Sequence, residues 1–171
     1  MNSRRAVFEK FAHELGYPLD QDILVGGNYR AAIRHGDTVY ISGQLPRNGS
    51  QIMLPGRVGE AVSLEQARQA ARICVMRALH VLHRQLGSLE PVAQVLQMTV
   101  YTQSAAGFTQ QSEVADAASN LLQAVLGDAG IHSRTSVGVY QLPKNASVEL
   151  NLTVAVSPGG QTAFRRFFYF K

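Results

Sequence analysis

The sequence predicts an α+β domain, a mixed sheet with two long helices packed on one face. Three observations carry this. Residues 63–87 and about 109–127 have the apolar periodicity of amphipathic helices with stop residues at their ends. Residues 147–156 alternate strictly, with Val148, Leu150, Leu152, Val154 and Val156 on one side and Glu149, Asn151, Thr153 and Ala155 on the other. The segments follow in the order β-β-α-β-α-β-β behind a short N-terminal helix, which suits helices laid on a sheet.

Along the chain, Val7, Phe8, Phe11, Ala12 and Leu15 take helical spacing, and Gly16 and Pro18 mark the end of that helix. Beyond Gly26-Gly27-Asn28, extended segments at 29–34 and 38–42 flank His35-Gly36-Asp37, a hairpin pattern. Residues 45–62, with Pro46, Asn48, Gly49, Pro55, Gly56 and Gly59, form a long loop. Ser63-Leu64-Glu65-Gln66 is a capping box: the serine oxygen accepts from the Gln66 backbone and the glutamine reaches back. Leu64, Ala67, Ala71, Cys74, Val75, Ala78, Val81, Leu82 and Leu86 then mark one helix face, and Gly87 closes it. Residues 92–101 form a strand through Val95, Met98 and Val100, and the second helix runs through Val114, Ala118, Leu121, Leu122 and Val125. Strands at 135–141 and 147–156 complete the domain.

A chain of 171 residues has room for one domain. We divide it into an N-terminal helix and lead-in (1–26), a central domain (27–156) and a basic, aromatic tail (157–171). Hydrophobic residues at 46% and charged residues at 16% exclude disordered and coiled-coil classes. No apolar run reaches the ~18–20 residues that span a bilayer, and the first ten residues carry charges in place of an apolar signal core, so a cytoplasmic protein with no membrane partner is expected. Cys74, the only cysteine, excludes an intramolecular disulfide and any multi-thiolate zinc site. The net charge of +4 resides mostly in the tail, where Arg165, Arg166 and Lys171 meet no acid, while residues 1–156 hold 13 basic against 12 acidic side chains. Nucleic acid is therefore not an expected partner.

Few local motifs carry chemistry. His80 and His83 stand at i, i+3 without a companion ligand, His13-Glu14 lacks a second histidine, and Val25-Gly26-Gly27-Asn28 lacks the ending of a phosphate loop, so no metal or nucleotide site is assigned. Cys74 falls on an apolar helix face, which suits an inert thiol. The tail interleaves phenylalanines with cations, and suits packing on a neighbouring subunit or no order at all. Arg134 remains. It stands immediately before a strand whose Ser136 lies two residues on and faces the same side, and an arginine so placed can clamp a carboxylate bidentately.

Gly27-Asn28-Tyr29, Val39-Tyr40-Ile41-Ser42-Gly43-Gln44-Leu45-Pro46, Ser133-Arg134-Thr135-Ser136-Val137-Gly138-Val139, Leu142-Pro143-Lys144 and Val148-Glu149-Leu150 resemble, in order, the RidA (YjgF) family, also labelled endoribonuclease L-PSP. The residues before Tyr29, the Gly59 region and Val137-Gly138-Val139 resemble its longer branch. The resemblance implies a chorismate-mutase-like fold in a homotrimer with ligand clefts between subunits. It also implies cofactor-free hydrolysis of enamines and imines to 2-oxo acids and ammonia, the reaction of a 2-iminobutanoate/2-iminopropanoate deaminase. Carried over by position, Arg134 grips the substrate carboxylate, Glu149 activates water, and Tyr29, Ser42, Gly43 and Ser136 line the pocket. Ser136 stands where compact members often have cysteine, and Gly138 and Asn151 where they often have acids.

An imine carbon is already electrophilic, so such chemistry needs orientation, a proton-transfer group and water. A non-catalytic module sensing a small carboxylate in the same cleft is the alternative from a different class, and ribonuclease activity, suggested by the family label, is a third.

Overall fold

In the computed structural model the described residues are 3–158. The aromatic tail expected at 157–171 lies outside them apart from its first two residues.

Helix α1 (Arg4–Glu14) starts at Ser3, whose hydroxyl accepts from the Ala6 amide, and buries Phe8 and Ala12. Strands β1 (Ala32–His35) and β2 (Thr38–Gln44) form the hairpin, turned at Gly36 in the left-handed region (φ 57°) that glycine tolerates. The first strand begins three residues later than the pattern predicts. The Tyr29 amide turns back to the Gly27 carbonyl, and the carbonyls of Arg30 and Ala31 are taken by Ser42 instead of a regular ladder. Within the long loop, β3 (Arg47–Asn48) and β4 (Gln51–Ile52) form a small hairpin that the Pro/Gly-rich sequence conceals.

Helix α2 (Leu64–Leu86) realises the capping box at Ser63 and ends on left-handed Gly87. It is buried on nearly all sides, where the sequence marks one apolar face. The sheet lies under it, α3 beside it, and α1 and the lead-in cover the rest, so Met76, Arg77, Leu79 and His80 are interior too. Strand β5 (Val92–Gln103) follows, then α3 (Gln111–Leu126), a short 3-10 turn at Gly127–Gly130, β6 (Ser133–Val139) and β7 (Val148–Val156). Helix α3 begins two residues after the predicted start, behind Gln110, whose backbone (φ -101°, ψ 38°) is not helical. Strand β6 covers 133–139 in place of 135–141, in parallel register with β5 throughout.

The five main strands are ordered β1-β2-β7-β5-β6, antiparallel except for the β5–β6 pair, whose crossover is α3. The alternation of β7 holds along its length: Val148, Leu150, Leu152, Val154 and Val156 are buried in the core shared with the helices, and Glu149, Asn151, Thr153 and Ala155 occupy the other face. Three helices, not two, serve the helix side, since α1 packs on α2 and α3 and Arg4 donates to the carbonyls of Leu89, Glu90 and Val92. The His80/His83 pair belongs to this packing. The Tyr17 hydroxyl meets His80 Nδ1 at 3.2 Å, and Phe8 stacks on His83. No helix among the described residues is long and apolar enough to cross a membrane.

Candidate active site on two faces of the sheet

Strand β2 is interrupted by a bulge. Ile41 pairs with Leu152 and Gln44 with Leu150, so Ser42 and Gly43 together stand against Asn151 alone. The extra residue turns Gln44 inward, where its amide oxygen accepts from Nε of buried Arg77 at 2.9 Å. It also brings the Gly43 backbone under the Glu149 carboxyl. A Cβ at position 43 would overlap Glu149 Oε1, so only glycine leaves room for the carboxyl where it lies. The result is an open cleft of about 440 Å³ lined by Ser42, Gly43, Tyr101, Leu142, Glu149 and Asn151.

The Ser42 hydroxyl donates to the Arg30 carbonyl at 2.7 Å, which leaves its oxygen lone pairs for a ligand. Tyr29, exposed, stands one residue before Arg30 and does not line the cleft. Partial burial pushes the Glu149 carboxyl above its ordinary range. A carboxyl with a raised affinity for protons, on a concave surface, is suited to taking a proton and returning it.

Arg134 lies elsewhere. Its register partner on β5 is Met98, and that of Ser136 is Val100, both fully buried on the helix side, whereas Glu149 pairs with Tyr101 on the open side. Arg134 and Ser136 do project to one side, as their spacing predicts, and both meet α3: the Ser136 hydroxyl donates to the Gln111 carbonyl at 2.7 Å, and Arg134 reaches Asp116 and Ser119. In a single chain, then, Ser42, Gly43 and Glu149 come together, while Arg134 and Ser136 form a separate group across the sheet. Gly138 shares their side, and a Cβ there would come within 2.9 Å of Gln111 Nε2 and 3.0 Å of Ser104 Oγ, so the acid often found at that position would displace both.

A depression of about 200 Å³ opens beside Arg134, lined also by Ser119, Gln123 and His132. Asp116, Ser119, His132 and, in the other cleft, Tyr101 have no motif of their own in the sequence, and Leu142 enters only through Leu142-Pro143-Lys144. The signal available was His132 two residues before Arg134, the spacing that puts alternate strand residues on one face.

The family model described as endoribonuclease L-PSP matches residues 20–156. Protein TCP17 of Trypanosoma cruzi is 34% identical over 144 residues, 84% of this chain and 90% of that protein. Among solved structures, Atu1372 of Agrobacterium tumefaciens, of unknown function, is 34% identical with a TM-score of 0.80, over 90% of this chain and 95% of its own. A Shewanella oneidensis protein described as a candidate endoribonuclease shares the fold at 22% identity and a TM-score of 0.81, over 91% of this chain and 100% of its own. The match to Atu1372 covers more of the chain than residues 27–156 alone. With the ordered motifs, the fold and these matches in agreement, the chain belongs to the RidA (YjgF) family, described as endoribonuclease L-PSP.

Proposed function

We propose that the protein hydrolyses small 2-imino acids, and the enamines that tautomerise to them, to 2-oxo acids and ammonia, in clefts formed between the subunits of a homotrimer. The observation that carries this reading is the Glu149 carboxyl, raised by burial and packed on Gly43 at the floor of an open cleft. Arg134 supplies the complementary half from a neighbouring chain.

The chemistry runs with the residues at hand. Arg134 holds the substrate carboxylate through paired N–H donors. Glu149 removes a proton from water as its oxygen bonds to the imine carbon and the C=N pair goes to nitrogen. The protonated Glu149 returns that proton to nitrogen to give a carbinolamine. It then takes the carbinolamine hydroxyl proton and passes it to the amine, and the C–N bonding pair leaves with nitrogen as ammonia while the C=O bond forms from the oxygen's electrons. One water is consumed and Glu149 ends as it began. Such a proton-transfer group typically contributes ~10²–10⁴ in rate, and orientation by the arginine adds to it.

The subunit arrangement is supported by the uncovered sheet face, where Ile33, Tyr40 and Val137 are exposed together with the cleft. Apolar groups gathered on an open sheet face suit an interface.

The test is to generate 2-iminopropanoate and 2-iminobutanoate in situ with an amino-acid oxidase and follow their decay by semicarbazide trapping. Faster decay with wild type, lost in Arg134→Ala and in Glu149→Gln, is expected. No acceleration by the folded protein, with a 2-oxo acid nevertheless raising its melting temperature, would favour carboxylate sensing instead. RNA cleavage that survives both substitutions would favour the ribonuclease reading.

A further inference from the structure

Arg134 is held before any ligand arrives. Its NH1 donates to Asp116 Oδ1 at 2.8 Å and to Ser119 Oγ at 2.9 Å. That nitrogen carries two hydrogens, and both are used. Ser119 is oriented in turn, with its oxygen 3.1 Å from His132 Nε2, while His132 Nδ1 lies 2.7 Å from the Gly130 carbonyl. A carbonyl only accepts, so Nδ1 bears the proton and Nε2 of the neutral ring is an acceptor. The Ser119 hydrogen therefore goes to His132, and a serine lone pair faces the arginine.

We infer that Ser119, fixed by His132, acts with Asp116 as a positioning set that presents one edge of Arg134 to the substrate carboxylate. The inference rests on the reading of Arg134 as the carboxylate grip. A carboxylate can approach a guanidinium end-on, across NH1 and NH2, or side-on, across Nε and NH2. With NH1 saturated, the end-on fork is closed. The side-on fork makes no hydrogen bond among the described residues, so the substrate is received there.

Stability alone does not account for this arrangement. The Arg134–Asp116 pair leaves Asp116 half exposed, and such pairs contribute little to folding. Its consequence lies in binding. A long side chain already confined to one rotamer gives up less freedom when a ligand arrives, and its two remaining donors point along one direction. Asp116 and Ser119 from α3, with His132 just before β6, do this without occupying the receiving edge.

The test measures the dissociation constant for 2-oxobutyrate by calorimetry, alongside KM and kcat for 2-iminobutanoate. Wild type, Arg134→Ala, Ser119→Ala, Ser119→Thr and His132→Ala are compared. Ser119→Ala is expected to weaken binding about tenfold, near the worth of one hydrogen bond to a charged group, with the change falling on KM more than on kcat. Ser119→Thr, which keeps the hydroxyl, restores the wild-type constant. His132→Ala weakens binding in the same direction by less. Should Ser119→Ala fail to fold, His132→Ala decides: a weakened constant supports the positioning role and an unchanged one overturns it. If Arg134→Ala loses binding while Ser119→Ala and His132→Ala bind like wild type, the positioning role falls and the carboxylate grip stands. If wild type does not bind 2-oxobutyrate, or Arg134→Ala binds as well as wild type does, both fall together.

Discussion

Arg134 and Glu149 stand on opposite faces of one five-stranded sheet: Arg134 is in register with buried Met98 on the helix side, and Glu149 with Tyr101 on the open side. No side-chain rotation within one chain joins them. A site that uses both has to be completed by a second copy, and closed cyclic assemblies achieve this by setting one face of each subunit against a different face of the next.

Gly43 sets the position of Glu149. In Gly43→Ala the new methyl would overlap Oε1 and stand 2.9 Å from Cδ, so the carboxyl swings away from the cleft floor. Imine hydrolysis is expected to fall on the order of 10²-fold, the lower range for losing a placed proton-transfer group. The melting temperature changes little, because the displaced group is a side-chain end. Wild-type turnover in Gly43→Ala would contradict the placement.

Glu149 costs the fold stability at neutral pH. Its carboxyl is raised by burial, so the folded state binds a proton more readily than the unfolded chain does. Stability is fully present below the carboxyl's ordinary range and declines as pH rises through the raised value. Glu149→Gln is therefore expected to melt higher than wild type at neutral pH while losing hydrolysis, and the difference in melting temperature should vanish in acid. A lower melting temperature at pH 7 would contradict this.

His80 makes the opposite demand. Burial first, then the charges of Arg84, His83 and Arg77, push it down from 6.5 to about 4. The unfolded chain takes up that proton near pH 6.5 and the folded one only near 4, so stability is lost as pH falls through that interval. The shift corresponds to on the order of 3 kcal/mol. Equilibrium denaturation between pH 7 and 4 should show a steep loss for wild type and a shallower one for His80→Gln. Equal slopes would contradict the assignment.

The open sheet face predicts its own disruption. Tyr40→Glu with Val137→Glu places two charges among exposed apolar groups of the sheet, and burying unpaired charges at an interface is unfavourable by several kcal/mol. Light scattering is expected to give a trimer mass for wild type and a monomer mass for the double variant. A monomeric wild type would contradict the intersubunit cleft.

Much of this was legible in the residues. The capping box of α2 and the alternation of β7 come from short-range chemistry, and both hold, including the outward direction of Glu149. The β3–β4 hairpin was hidden because two-residue strands have no periodicity to detect. The start of β1 was misplaced because Ser42, far along the chain, takes the carbonyls of Arg30 and Ala31. The face of Arg134 was not legible at all. Ser133-Arg134-Thr135-Ser136-Val137 lacks apolar contrast, so its orientation follows from the parallel pairing with β5, a tertiary fact. Asp116 and Ser119 carry no motif of their own on α3, and only that pairing brings Arg134 over them.

Subunit complementation tests the central claim most directly. Arg134→Ala and Glu149→Gln proteins are each expected to be inactive as pure trimers. If one site takes Arg134 from one chain and Glu149 from its neighbour, every mixed trimer regains a single intact site. Unfolding and refolding the two variants together in equal amounts should then recover about a quarter of wild-type imine hydrolysis, the value for random cyclic assembly. No recovery in trimers verified to contain both variants would contradict a site shared between subunits.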